Sequence, residues 1–161
     1  MNKVLKPLLK TLSKNEFCTE QNVITNHCID WRGKFKGTAE LIFFPKNVKS
    51  VIKIIKFCYK NKISVVPQGG NTSLVGGSVP RFNKGEIIIN LSKLNKIREV
   101  DTISNIVTLE GGCILQDVND KLEPFGLEMP ISLGSKGSCQ IGGNIATNAG
   151  GLNVIKYGSI R

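Results

Sequence analysis

Histidine is almost missing from this 161-residue sequence: His27 is the single copy. With one imidazole and no metal-ligand spacing, the chain offers no metal site of its own. Five cysteines, Cys18, Cys28, Cys58, Cys113 and Cys139, include no C-x-x-C pair. That removes zinc ribbons and iron–sulfur cradles, and an odd, dispersed set suits a reducing compartment better than a disulfide framework. Aromatic residues make up only 6%, and they do not interleave with basic ones as single-strand nucleic-acid binders require. No apolar run approaches the roughly 18 residues that would span a bilayer. Arginine is absent before Asn15, and so is any acid before Glu16. The missing acid suits a transit peptide, but the missing arginine does not, and Leu5, Leu8, Leu9 and Leu12 recur at helical spacing, so a short packed helix is the stronger reading. No secretory apolar region follows. Two phosphate-binding signatures, G-x-x-x-x-G-K-[ST] and G-x-G-x-x-G, are also missing.

Positive charge is abundant: the formal net charge is +10. The lysines are scattered, and lysine, isoleucine and asparagine are enriched together, as codon bias in an AT-rich genome would produce. Part of the charge also suits an anionic ligand. Glycine is plentiful and clustered. The β-branched run Ile63 to Val66 reads as a buried strand ending at Pro67. Gly69, Gly70, Gly76 and Gly77 follow, interleaved with Asn71, Thr72, Ser73 and Ser78. Such a loop can turn successive backbone N–H groups toward one anion, with hydroxyls and the Asn71 amide as further donors. A second segment of the same chemistry runs from Leu133 to Gly151. One cluster alone is equally well a glycine-rich turn with no ligand; two of them suggest one long ligand carrying two phosphates.

The periodicities predict an order of elements. A helix over about 3–13 packs its leucines inward, with Pro7 in the first turn, where it is tolerated. A loop spans 22–37. In it, Asp30, Trp31 and Arg32 read either as a packed Trp beside an exposed ion pair or as a segment near a ligand. A strand over 40–44 stops at Pro45, and Asn47 caps a helix whose apolar stripe is Val48, Val51, Ile52, Ile55, Cys58 and Tyr59. Lys49, Lys53, Lys56 and Lys60 face water. With the strand at 63–66 this makes a βαβ unit. A strand over 86–90, a hairpin of 97–101 with 106–110, and a helix over 114–125 stopped by Gly126 follow. A small-residue helix begins at Ile141; Gly142, Gly143, Ala146 and Ala149 let its backbone approach another element or a ligand.

Pro67-Gln68-Gly69-Gly70-Asn71-Thr72 with Val75-Gly76-Gly77-Ser78-Val79-Pro80 resembles the FAD pyrophosphate loop of the vanillyl-alcohol-oxidase-like, PCMH-type flavoproteins. The stretch from Lys136 to Gly151 resembles their second FAD segment and Lys156-Tyr157-Gly158 its continuation. Upstream, Asp30-Trp31-Arg32-Gly33-Lys34 and Pro45 also match. Within that superfamily the likeness is to the D-2-hydroxy-acid dehydrogenases, including those acting on D-2-hydroxyglutarate, D-lactate and glycolate.

The resemblance implies an α+β fold: the N-terminal subdomain of a PCMH-type FAD-binding domain, a mixed sheet flanked by helices. It divides the chain into 1–36, a helix and loop, and 37–161, an FAD-binding domain incomplete at its C-terminal end. Backbone N–H groups of Gly69, Gly70, Asn71, Thr72 and Ser73, after Pro67, would hold the pyrophosphate. Gly77 and Ser78 would lie by the isoalloxazine or ribityl side. Pro130, Leu133, Gly134, Gly137, Ser138, Gly142, Gly143, Asn144 and Thr147 would line the other side. FAD would be non-covalent, because Asn71 stands where some relatives carry the linking histidine. In the family's reaction a hydride passes from the hydroxyl-bearing carbon of a D-2-hydroxy acid to the flavin, giving a 2-keto acid. No residue matches the family's catalytic or metal-binding positions, which lie farther along its members. The expectation is therefore an N-terminal fragment that is inactive alone: a degraded or split gene product, or one half of a two-chain protein whose second polypeptide carries the rest. No nucleic acid and no transmembrane segment is expected. The compartment is the cytoplasm, or the mitochondrial matrix in a eukaryote. The competing reading is a non-enzymatic nucleotide- or polyanion-binding module.

Overall fold

The computed structural model describes residues 3–160. The chain forms two compact units, residues 1–93 and 94–161. The fold is α+β, with a mixed sheet and flanking helices, as expected.

In the first unit the sheet order is β1-β2-β4-β3. Strand β1 is Phe17–Cys18, β2 is Ala39–Phe43, β3 is Val65–Gln68 and β4 is Glu86–Asn90. β1 runs antiparallel to β2, while β2 and β3 both pair parallel to β4. β4 sits between the other two parallel strands. Its Ile87-Ile88-Ile89 run is buried throughout, as a strand covered on both faces must be. Alternation then sorts side chains between two cores. Leu41, Phe43, Ile87 and Ile89 join Leu5, Leu8, Ile54 and Cys58 on one face. Ile42 and Ile88 join Ile24 and Cys28 on the other.

Helix α1, Lys6–Leu9, follows a 3-10 turn over Lys3–Leu5 and is shorter than its leucine spacing predicts. Helix α2, Gln21–His27, replaces part of the predicted loop. Asn22, Thr25 and Asn26 are weak helix formers, but burying Ile24 and Cys28 against the sheet outweighs propensity. Pro67 does not end β3, which continues to Gln68. β3 is the edge strand, where a missing N–H is tolerated.

Helix α3, Val48–Lys60, starts where expected, with Asn47 Oδ1 accepting the Ser50 N–H at 2.9 Å. Its buried line differs from the predicted stripe. Ser50, Ile54 and Cys58 face the core, with Val51 and Phe57 half-buried beside them. Val48, Ile52, Ile55 and Tyr59 face outward, Tyr59 at 87% exposure. This helix carries more apolar residues than one face holds, and tertiary contact selected the phase. The four lysines are exposed, as read.

In the second unit, β5 (Ile97–Asp101) and β6 (Ile106–Leu109) form the predicted hairpin. Asp101 Oδ1 accepts the Ile103 and Ser104 N–H groups at its tip. Helix α4, Leu115–Leu122, buries Leu115, Val118 and Leu122, and a 3-10 turn over Glu123–Phe125 ends at Gly126 with φ +68°. Helices α5, Ile141–Ala146, and α6, Val154–Tyr157, complete the unit. Its core is Cys113, Leu115, Val118, Leu122, Ile131, Cys139 and Ile141.

Candidate functional site

β3 and β4 end side by side, with Gln68 opposite Asn90. The first glycine-rich loop leaves from this carboxyl edge, where ligands of parallel sheets characteristically bind. Among the described residues, none of the N–H groups of Gly70, Asn71, Thr72, Ser73 and Leu74 donates to a protein acceptor. A run of uncommitted donors on a half-buried loop is the composition of an anion-binding nest. Positive φ falls on Asn71 (+53°) and Gly76 (+73°), not on Gly70.

Side chains that looked like ligand donors in the sequence are instead used to shape the loop. Asn71 Nδ2 donates to the Ile29 carbonyl at 2.8 Å, and Asn71 Oδ1 accepts the Ser78 hydroxyl at 2.7 Å. Ser73 Oγ accepts the Val75 N–H at 3.3 Å. The Thr72 hydroxyl has no partner among the described residues, so it remains available beside the N–H run.

Gln68 was not singled out by sequence, yet it is the hub beneath the loop. It is buried, and its Nε2 donates to the carbonyls of Ser78 at 2.8 Å and His27 at 2.9 Å. Its Oε1 accepts from Asn90 Nδ2 at 3.3 Å and lies 2.5 Å from His27 Nδ1. Because the Gln68 amide nitrogen is committed to two carbonyls, His27 Nδ1 is the donor in that pair. Asn90 Nδ2 also holds the Gly69 carbonyl at 3.1 Å.

The Asp30–Arg32 turn supports the loop too. Asp30 is buried, and its carboxylate accepts the Phe35 N–H at 2.7 Å. Burial alone would raise its pKa, but N–H donors from Phe35, Arg32 and Lys34 and the nearby Arg32 charge hold it below the ordinary carboxylate value. Arg32 points to the loop rather than to Asp30: its Nη2 donates to the Leu74 carbonyl at 2.5 Å. Trp31 is not packed away; it is 66% exposed. Phe35, Val75, Val79 and Phe82 line a shallow depression beside Gly76, with Lys36 and Arg81 at its margin.

The second glycine-rich segment lies in the second unit. Most of its N–H groups are consumed locally: Ile141 donates to Cys113, Gly142 to Gly111, Ser138 and Cys139 to Ser135. A Cβ on Gly142 would stand 2.8 Å from the Gly111 oxygen, and one on Gly151 1.9 Å from the Ser132 oxygen. These glycines permit backbone-to-backbone contact within the unit. Gly134, Gly137 and Gly143 are different, since nothing lies within 4 Å of an added Cβ. With exposed Pro130, Ser138 and Thr147 and half-buried Leu133 they leave an accessible face. The Thr147 hydroxyl donates to the Gly143 carbonyl, and buried Asn144 Nδ2 reaches Cys139 Sγ at 3.6 Å. Among the described residues, Gln140 Oε1 is a buried acceptor with no partner. No group of three or more His, Cys, Asp or Glu side chains able to hold a metal occurs among the described residues, and no helix there is long and apolar enough to cross a membrane.

Comparison with known proteins adds to this geometry. Residues 39–161 match the family described as FAD binding domain. D-2-hydroxyglutarate dehydrogenase, mitochondrial, of Arabidopsis thaliana is 50% identical over 131 residues, which are 81% of this chain and 23% of that protein. The Danio rerio protein of the same description is 43% identical over 143 residues, 89% of this chain and 26% of that one. The chain thus spans about a quarter of the length of the curated relatives it matches. Among solved structures, an alkyldihydroxyacetonephosphate synthase superposes with a TM-score of 0.87 at 20% identity, over 99% of this chain and 31% of that one. That likeness concerns the fold.

Proposed function

The chain belongs to the FAD binding domain family, and from that premise we propose that it is the FAD-binding portion of a flavin-dependent D-2-hydroxy-acid dehydrogenase. The observation that carries the reading is the uncommitted N–H run of Gly70 to Leu74 at the carboxyl edge of β3 and β4. FAD fits the residues present. The N–H run and the Thr72 hydroxyl complement a pyrophosphate, and the Phe35–Val75–Phe82 depression offers apolar surface to a ring or ribityl chain. In the second unit, the open faces of Gly134, Gly137 and Gly143, with exposed Ser138, allow close approach of a ligand. Pro67 and Gly77 flank the first loop, whereas Gly142, Asn144 and Thr147 support the second segment from within.

When bound, FAD supplies the two-electron acceptor for the hydride of a hydroxyl-bearing carbon. The chain's own residues bind and orient. Gly70 to Ser73 neutralise phosphate charge by aligned dipoles. Asn71 and Ser78 hold the loop's curvature, and the +10 net charge favours an anionic ligand at long range. Asn71 has no nucleophilic ring nitrogen, and His27 is committed to Gln68, so FAD is held non-covalently. No side chain here is assigned as base for the hydroxyl proton or as carboxylate-binding cation. Turnover therefore belongs to the complete enzyme, whose other parts correspond to the remaining length of the relatives, on the same or a second polypeptide. The dispersed, unpaired cysteines suit a reducing compartment such as the cytoplasm or matrix.

The test is reconstitution of the purified chain with FAD, followed by gel filtration and acid precipitation. Flavin absorbance should co-elute with protein, then appear in the supernatant. Colour retained in the pellet overturns non-covalent binding. A colourless protein that still retains inorganic pyrophosphate supports the polyanion-binding module instead. Turnover of D-2-hydroxyglutarate, D-lactate or glycolate by this chain alone, with an artificial acceptor, overturns the division of labour.

A further inference from the structure

The family match begins at residue 39, yet the segment just before it grips the phosphate-binding loop along its length. The Ile29 carbonyl takes Asn71 Nδ2, and the Arg32 guanidinium holds the Leu74 carbonyl. The Phe35 ring fills the space above Gly76, where an added Cβ would stand 2.7 Å from it. Gly37 approaches the Pro80 carbonyl so closely that a Cβ would lie 1.6 Å away. His27 reaches Ser78 and Gly69 through Gln68 and Asn90.

The gripping segment is itself rigidly built. Ile29 and Lys36 form an antiparallel bridge, and Gly37 N–H donates to the Cys28 carbonyl at 2.8 Å. Asp30 N–H donates to the Phe35 carbonyl at 3.1 Å, while the Asp30 carboxylate takes the Phe35 N–H in return. Gly33, at φ +66°, makes the reversal. A loop whose N–H groups must point one way without internal partners gains little from its own backbone. The Asn71–Ser78 and Ser73–Val75 bonds curve it from within, and the rest of its order comes from outside it.

We propose that the hairpin over 29–36 is a clamp that pre-orders the phosphate-binding loop before ligand arrives, with Arg32 as a positioning residue acting through the Leu74 carbonyl. This rests on the FAD-binding reading and adds to it the origin of the loop's competence. Apparent affinity scales with the fraction of molecules already in the binding-competent form. Releasing Leu74 lowers that fraction, which slows association and leaves the bound complex, and hence dissociation, unchanged.

Arg32 is exposed, so Arg32→Met keeps the fold, and far-UV circular dichroism verifies it. Stopped-flow quenching of flavin fluorescence separates the rates. Arg32→Met should slow FAD association about tenfold, the scale of one hydrogen bond from a charged donor, with dissociation unchanged. The ratio to wild type should be the same at low and high salt, and Arg32→Lys should recover part of the rate. Faster dissociation with normal association would mean that Arg32 touches the ligand directly, and would overturn the clamp. A defect that vanishes at high salt would assign Arg32 to electrostatic steering and overturn it equally. Wild-type rates in Arg32→Met overturn the clamp and leave the proposed function standing; failure of the wild-type chain to bind FAD overturns both.

Discussion

The two glycine-rich segments have the same composition and spend their glycines differently. In the loop after β3, the N–H groups of Gly70 to Leu74 are left open, and side chains from elsewhere hold the backbone in shape. In the segment before α5, N–H groups close on neighbouring carbonyls, and Gly142 and Gly151 are small because Gly111 and Ser132 press against them. Glycine meets two separate demands here: close approach of a neighbour at Gly76, Gly142 and Gly151, and an open face at Gly77, Gly134, Gly137 and Gly143. Composition cannot distinguish the two, because a missing side chain looks the same whichever neighbour needs the space.

The largest expected effect breaks the second segment. Gly151→Ala places a Cβ 1.9 Å from the Ser132 oxygen at φ +87°. Overpacking and left-handed strain together should destabilise the second unit by roughly 2–5 kcal/mol. A lower denaturation midpoint should show this, and an unshifted midpoint would remove the close-approach account. Gly70→Val tests the other segment. It should abolish flavin retention while far-UV circular dichroism and the midpoint stay near wild type. Full occupancy in that variant would mean the loop is not the phosphate cradle.

A smaller effect separates two hairpins that use the same acid device. Asp30 and Asp101 each accept N–H groups at a hairpin turn. Burial works against Asp30, and its donors outweigh that; at Asp101 the Ser104 and Ile103 donors act first and burial opposes them weakly. Both carboxyls sit below their ordinary pKa. Their stabilisation is thus complete above about pH 4 and is lost as pH falls through the lower folded values. Asp30→Asn should weaken FAD binding several-fold at neutral pH, because the clamp loosens. Asp101→Asn should leave FAD binding unchanged. Equal effects of the two variants on affinity would dissolve the distinction between the hairpins.

The smallest effect is kinetic. Burial pushes the Cys58 thiol up to about 11 and also raises Cys28 and Cys113. Half-buried Cys18 should react first with a thiol reagent at pH 8. The slower labelling of Cys58 against Cys113 then reports which unit opens more often. Rapid reaction of all the thiols would contradict the packing of both cores.

Local pattern carried much of the fold. Asn47 shows in the sequence as a cap, Ile87-Ile88-Ile89 as a strand, Gly126 as a helix stop, and the alternation on either side of 102–105 as a hairpin. These depend on residues within a few positions of one another, so order along the chain suffices to specify them. The glycine-rich motifs likewise identified the family and its ligand. Tertiary structure decided what depends on distant partners. The α2 helix forms because the sheet's second face needs Ile24 and Cys28, and α3 turns Ile54 rather than Ile55 inward for the same kind of reason. Gln68, reaching back to His27, and Arg32, reaching forward to Leu74, act across about forty residues of sequence. Hydrogen bonds of that reach leave no periodic trace. The sequence by itself determined the glycine-rich loop and the family it marks, because both rest on residues adjacent in the chain; only the folded chain decided which side chains hold that loop in shape and which glycines meet neighbouring backbone.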